Sequence, residues 1–306
     1  MRLLVTGATG FVGSHLIPHL LSRGDGVVGL ARQPAERAWP LVTADLLDQK
    51  TTAQHLRTIQ PEGIIHLAGW ADVGSSFREP AGAWRDNLEA TLSLYQAIED
   101  WGGRPRVLFV STGAVYGPGA TAETSELRPA SPYAASKAAA DLASYQVFCH
   151  PGLAVIRVRP FNQIGPGQSP RYAVAAFAEQ IARIEAGLLP PIIETGRLDV
   201  TRNLTDVRDM VVAYRLLLER GEPGEVYNAA SSVEVSIQHV LDELVRISGV
   251  RAEIRSTPGR MRPGDVERSF ADAVKLSRAT GWEPHISLDQ SLRDILDDWR
   301  QRVRQI

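Results

Sequence analysis

The stretch Thr6-Gly7-Ala8-Thr9-Gly10-Phe11-Val12-Gly13 lies between a short apolar segment, Arg2–Thr6, and a longer one with helical spacing, Phe11–Ser22. Each glycine has a separate use. Gly7 allows a tight turn, Gly10 lets the backbone approach a pyrophosphate, and Gly13 lets the following helix pack closely on the strand. The amides of Phe11 and Val12 then point at the phosphates from the helix N-terminus. The preceding strand and following helix are the context that makes this glycine pattern a dinucleotide-binding turn.

Working outward, Gly24 is the expected stop of the first helix, and Pro18 is expected to kink it. Val27–Ala31, Ile64–Ala68 and Val107–Ser111 read as further strands, and Trp84–Trp101 as a helix between two of them. Strands alternating with helices predict a parallel sheet covered on both faces, an α/β fold of the Rossmann-type doubly wound kind. After residue 160 the rhythm changes. Phe161–Arg171 is rich in glycine, proline and polar residues, as linkers and ligand-covering loops are. Asp206–Glu219 reads as a helix and Glu225–Ala230 as a strand able to rejoin the first sheet. The predicted organisation is a dinucleotide-binding domain over 1–160, with 206–230 returning to it. Residues 161–205 and 231–306 then form a smaller mixed α/β domain. No internal repeat or low-complexity run interrupts this plan.

The 306 residues carry a net charge of −2, so no basic excess points to nucleic acid or an anionic membrane surface. The lone cysteine, Cys149, sits in an apolar stretch and is expected to be packing filler; an intramolecular disulfide is impossible. The N-terminal MRLLVTGATG has too short an apolar run for a signal peptide, and no window resembles a membrane helix, so the expected location is cytoplasmic. His15 and His19 stand one helical turn apart without an intervening acid or third ligand, so no metal site is expected.

The end of the second strand discriminates between cofactors. An NAD site normally places an acid there for the ribose 2′-hydroxyl, whereas this chain reads Gly29-Leu30-Ala31-Arg32. A guanidinium suits a 2′-phosphate, so NADP(H) is preferred, with NAD(H) possible.

Ser131-Pro132-Tyr133-Ala134-Ala135-Ser136-Lys137 opens another helix, with Ser131 as cap and Pro132 in the first turn. Tyr133 and Lys137 are four apart and share a face. A free phenol, with a pKa of about 10, is a poor acid–base group at neutral pH. A neighbouring ammonium, with the positive ring of an oxidised nicotinamide, is expected to lower it. Tyr133 could then exchange a proton with a carbinol oxygen while hydride moves at the same carbon, and Thr112, at the end of Val107–Ser111, supplies a second hydroxyl.

The glycine turn, the segment Ser111-Thr112-Gly113-Ala114-Val115-Tyr116-Gly117 and the Tyr133–Lys137 pair together resemble the extended short-chain dehydrogenase/reductase family over nearly the whole chain. The resemblance implies further roles. Asp45-Leu46 would contact the adenine, and Leu67 and Ala68 in His66-Leu67-Ala68-Gly69 would lie beneath the cofactor. Asn162 would touch a nucleotide-sugar substrate, held by the smaller C-terminal domain. Arg202 and Arg262 would bind its diphosphate.

Within that family, dehydratases follow the threonine with one or two acids. Here those positions are Gly113 and Ala114, which cannot transfer protons. The loop from His66 to Gly74 and the stretch Arg262-Pro263-Gly264-Asp265 resemble 4-epimerases, although these usually have lysine where this chain has Ala71. Arg159–Gln168, Thr201–Met210 and Met261–Trp299 resemble GDP-4-keto-6-deoxy-mannose reductases, which usually have histidine at position 163 and an Arg-Asp-Phe triplet at 202–204. This chain reads Gln163 and Arg202-Asn203-Leu204. The implied activity is NADP(H)-dependent reduction of a C4 ketone to give GDP-D-rhamnose, with an NAD-dependent 4-epimerase as the alternative. A non-catalytic NADP(H)-binding sensor is a more distant one. The stripe Trp84, Leu88, Leu92, Tyr95 is core or a subunit interface, and relatives dimerise through this helix and the one carrying Tyr133, which favours a homodimer. Asp86, Glu89 and Glu99 are expected to form a solvated helix face.

Overall fold

The structure is a computed structural model that describes residues 1–119, 122–231, 233–260 and 266–305. The first half runs β1 (Arg2–Thr6), α1 (Phe11–Ser22), β2 (Gly26–Ala31), β3 (Leu41–Thr43), α2 (Gln49–Ile59), β4 (Gly63–His66) and the short helices α3 (Val73–Ser76) and α4 (Pro80–Trp84). A π-helical turn, Arg85–Glu89, joins α4 to α5 (Ala90–Trp101). There follow β5 (Arg106–Val110), a 3₁₀ turn (Gly113–Tyr116), α6 (Pro132–Cys149) and β6 (Val155–Pro160). The second half contains β7 (Asn162–Ile164), α7 (Ala173–Glu185), β8 (Ile192–Thr195), β9 (Thr201–Asp206), α8 (Val207–Arg220) and β10 (Val226–Ala229). It closes with β11 (Glu234–Ser236), α9 (Ile237–Ser248), β12 (Glu253–Ser256), β13 (Arg268–Ser269), α10 (Val274–Thr280) and α11 (Leu288–Val303).

Seven strands form one parallel sheet in the order β10-β6-β5-β4-β1-β2-β3. The central strands are buried on both faces, which is why they read as unbroken apolar runs. One face packs Leu16, Ile17 and Leu20 of α1 against Met210, Tyr214 and Leu217 of α8, with Leu276 of α10 and Trp282 added from the C-terminal segment. The other face packs Leu56 of α2 with Leu94 and Ile98 of α5. A third core, around Phe177, Ile181, Leu241 and Trp299, unites α7, α9 and α11 beneath the smaller sheets β11-β9-β13, with β7 on β9, and β12-β8.

The first helix spans Phe11–Ser22 as expected and continues past Pro18 to Ser22. Asp206, expected inside its helix, is instead the cap of α8, its carboxylate accepting the Arg208 amide. The single helix expected over Trp84–Trp101 is divided by the π turn, in which Asp86 and Asn87 are buried. The burial of Asp86, whose carboxylate takes Arg32 and Arg85, corrects its expected place on a solvated face; Glu89 and Glu99 are exposed. Cys149 is also corrected. It ends α6 and is exposed, because the apolar face of that helix has already turned away.

Candidate active site

The strand order reverses between β1 and β4, and the crevice outside the carboxyl ends of strands at such a point is where open α/β sheets take ligands. The glycine turn leaves β1 there. Gly7 has φ +65°, and a Cβ on it would lie 2.7 Å from the Ala68 amide nitrogen, so the turn presses directly on the Leu67-Ala68 loop after β4. A Cβ on Gly13 would come within 2.4 Å of the Ala8 carbonyl oxygen. Gly10 caps α1 with no side chain to occupy the first-turn amides around Phe11 and Val12. This cradle, open at the helix N-terminus and filled by any added methyl, fits a dinucleotide pyrophosphate.

A buried hydrogen-bond chain fixes the crevice floor. Thr6 Oγ1 meets His66 Nδ1 at 2.7 Å, and His66 Nε2 meets Thr91 Oγ1 at 3.0 Å. The Ala68 amide donates to Thr6 Oγ1. Burial first, then the nearby Lys137 charge, depresses the His66 pKa to about 3, so the ring is neutral. Asn87 on the π turn accepts the Trp70 amide at 2.8 Å and donates to Ser136 Oγ at 2.9 Å. Ser136 in turn donates to the Tyr133 carbonyl. The loop after β4 is thereby tied to α6.

Ser131 Oγ accepts the Ala134 amide and starts α6 as its sequence predicts. Thr112, whose hydroxyl is near enough to bear on the Tyr133 phenol, caps the 3₁₀ turn by accepting the Ala114 amide. Lys137 is buried, donates to the Val110 carbonyl at 2.6 Å and stands 4.6 Å from the centre of the Phe109 ring. Desolvation pushes the Tyr133 phenol up to about 12, the influence of the Thr112 side chain only partly offsetting it. Desolvation pulls Lys137 down to about 8, partly opposed by Asp141. The pair is thus assembled, but the expected acidification of the phenol by the ammonium is not a property of the protein alone. Behind it, buried Asp141 bonds Arg157 and, bidentately, Arg159.

At the adenosine end, Arg32 is more than half exposed and its Nη1 lies 3.2 Å from Asp86 Oδ2. Asp45 is exposed and accepts the Leu47 amide; the Leu46 carbonyl accepts Ser93 Oγ. On the other side lies a cleft of about 610 Å³, with Asn162, Gln163, Tyr172 and Arg202 among its walls. Asn162 is exposed on β7. Arg202 is buried on β9 and donates to the Thr201 carbonyl. Arg262 lies outside the described residues. At the threonine turn, a Cβ on Gly113 would lie 2.7 Å from the Phe161 ring, which would have to shift to admit any side chain there.

Several site residues have bonding partners that no local pattern shows: Asn87, Ser136, Asp86, Tyr172, whose hydroxyl donates to the Ala71 carbonyl, and Gln163, whose amide donates to Tyr214 Oη. Their partners lie 49 to 101 positions away, beyond any local pattern. His15 Nε2 meets the Pro166 carbonyl, and among the described residues no three His, Cys, Asp or Glu side chains are grouped to hold a metal ion. No helix among them is long and apolar enough to cross a membrane.

The doubly wound sheet, the glycine cradle at its switch point and the Thr112–Tyr133–Lys137 group define the extended short-chain dehydrogenase/reductase class. Residues 4–295 match the family model described as GDP-mannose 4,6 dehydratase, and the chain belongs to that family. It is 40% identical to the GDP-6-deoxy-D-mannose reductase of Pseudomonas aeruginosa, covering 99% of each chain. The solved structure of RMD from Pseudomonas aeruginosa complexed with NADPH superposes with a TM-score of 0.87 at 37% identity, covering 99% of this chain and all of that one. Thermus thermophilus UDP-glucose 4-epimerase in complex with NAD also gives 0.87, at 33% identity over 98% of this chain and 99% of that one.

Proposed function

We propose that this chain is an NADP(H)-dependent reductase of the C4 ketone of a nucleotide-linked 4-keto-6-deoxy hexose, converting GDP-4-keto-6-deoxy-D-mannose to GDP-D-rhamnose. The observation that carries this reading is the end-to-end likeness to a GDP-6-deoxy-D-mannose reductase, joined to the assembly of Thr112, Tyr133 and Lys137 at one crevice. The glycine turn would hold the pyrophosphate, Asp45, Leu46, Leu67 and Ala68 the adenosine and the underside, and Arg32 the 2′-phosphate. The bound cofactor supplies the hydride. Tyr133, held protonated, donates its proton to the C4 oxygen as negative charge develops there. Thr112 hydrogen-bonds the same oxygen, and Lys137 anchors the nicotinamide ribose. Asn162, Arg202 and Arg262 are proposed substrate ligands in the smaller lobe, formed by 161–205 and 231–306 against the nucleotide-binding lobe of 1–160 and 206–230. Gly113 and Ala114 leave no carboxyl group for dehydration.

A second reading is an NAD-dependent 4-epimerase, favoured by the likeness to the Thermus enzyme. One assay separates them: incubation with GDP-4-keto-6-deoxy-D-mannose and NADPH, following absorbance of the reduced cofactor. Stoichiometric consumption is expected. No consumption, together with interconversion of UDP-glucose and UDP-galactose without added cofactor, overturns the choice. The proposed setting is a homodimer in the cytoplasm.

A further inference from the structure

We propose that Arg85, on the π-helical turn, is a second specificity-determining residue for the cofactor's 2′ position and acts with Arg32 as a two-guanidinium clamp on the 2′-phosphate. The proposal rests on the NADP(H) reading of this site. Arg85 Nε lies 3.1 Å from Asp86 Oδ1, while Arg32 Nη1 lies 3.2 Å from Asp86 Oδ2. One carboxylate is therefore shared by two cations that arrive from different elements, the end of β2 and the turn after α4. The Asp86 side chain is only 10% exposed, whereas those of Arg32 and Arg85 are 58% and 48% exposed. The carboxylate is the fixed member, and each guanidinium group gives it one of its five N–H donors.

Two like charges this close repel, and exposed arginines ordinarily sample many rotamers. Asp86 offsets the repulsion and holds both groups beside the second strand's end before any ligand arrives. A dianionic phosphoester has enough acceptor oxygens to take paired N–H bonds from each, which a ribose hydroxyl lacks.

The test is calorimetric binding of NADPH, NADH and the non-reacting fragments 2′,5′-ADP and 5′-ADP to the wild-type chain and to Arg85→Ala, Arg85→Lys and Arg32→Ala. Arg85→Ala is expected to weaken NADPH and 2′,5′-ADP by about tenfold or more, the loss of one charge-assisted contact, with NADH and 5′-ADP within about twofold. Arg85→Lys is expected to recover part of the loss, since it keeps charge but not the fork. Equal weakening of phosphorylated and unphosphorylated ligands, or no weakening, overturns the clamp while Arg32→Ala still reports on the reading beneath it. If wild-type protein binds NADH and 5′-ADP as tightly as NADPH and 2′,5′-ADP, the NADP(H) reading fails and the clamp with it. Unchanged thermal unfolding of the Arg85 variants keeps a folding defect from being mistaken for either result.

Discussion

Tyr133 and Lys137 share one face of α6, yet burial drives both toward their neutral forms, the phenol up to about 12 and the amine down to about 8. For a ketone reduction that is a workable resting state, because the phenol must begin protonated in order to give its proton away. Lys137 sets the pH dependence. Its folded pKa lies below its ordinary value, so as pH rises through about 8 the folded protein loses this charge while the unfolded chain keeps it up to about 10.4. Between these values the unfolded state binds more protons, and this group's contribution to stability rises with pH; below about 8 burying the charge is a net cost. Activity runs the other way. If the ammonium is needed, kcat/KM for ketone reduction falls as pH rises through about 8. In Lys137→Met the residual rate should be low and lack that limb. Tyr133→Phe should lower kcat by at least about a hundredfold, the usual worth of a positioned general acid, with NADPH affinity within about threefold. Full turnover in Tyr133→Phe would remove the tyrosine as the general acid, and an unchanged alkaline limb in Lys137→Met would remove the lysine from the titration.

Elements built on local patterns are legible in the sequence alone. The buried strands β1, β2, β4 and β5 announce themselves as apolar runs, and α1 and α6 by the glycine turn and the Ser131-Pro132 start. The division of Trp84–Trp101 is not legible, because a π turn keeps the same apolar composition and shifts only the phase of the residues beyond it. Asp86 consequently reads as solvated, when it is the buried anchor of Arg32. The floor of the crevice is equally hidden, since Thr6, His66 and Thr91 are 60 and 25 positions apart and meet only after the sheet has formed. The legible part can be broken by one methyl. Gly13→Ala puts a Cβ within 2.4 Å of the Ala8 carbonyl, a backbone atom that cannot swing aside. The helix must lift from β1, at a cost of about 3 kcal/mol. Urea titration should show that loss, and NADPH binding should fall by more than about tenfold even where the protein remains folded. Wild-type affinity in this variant would mean that α1 does not need to approach so closely.

At the scale of the whole molecule, α6, which carries the proposed chemistry, and the helices packed on it present several exposed apolar side chains. Leu142 is 59% exposed and Tyr145 46% on α6, Leu92 is 43% exposed on α5, and Trp84 ends α4 at 38%. The stripe read from sequence therefore splits. Tyr95 turns inward, its hydroxyl bonded to Ser144 at 2.6 Å and so locking α5 to α6, while Trp84 and Leu92 face out. Scattered apolar residues on a surface need no explanation, but several on two packed helices, α5 and α6, are what the proposed homodimer would cover. A two-fold interface is self-complementary, so a second copy presenting the same helices is the natural cover. Tyr133 and Lys137 lie on the other side of α6, and a partner pressing on that helix would hold them without touching them. Light scattering should give a dimer for the parent protein at micromolar concentration and a monomer for the double variant Leu92→Glu, Leu142→Glu, because two buried carboxylates per protomer would each lack a counter-ion. The monomer should retain its fold by circular dichroism but melt several degrees lower, since a dimer binds only the folded chain and stabilises it by mass action. A parent protein that is already monomeric at those concentrations, or a double variant that still dimerises, would move the interface elsewhere and leave this patch unassigned.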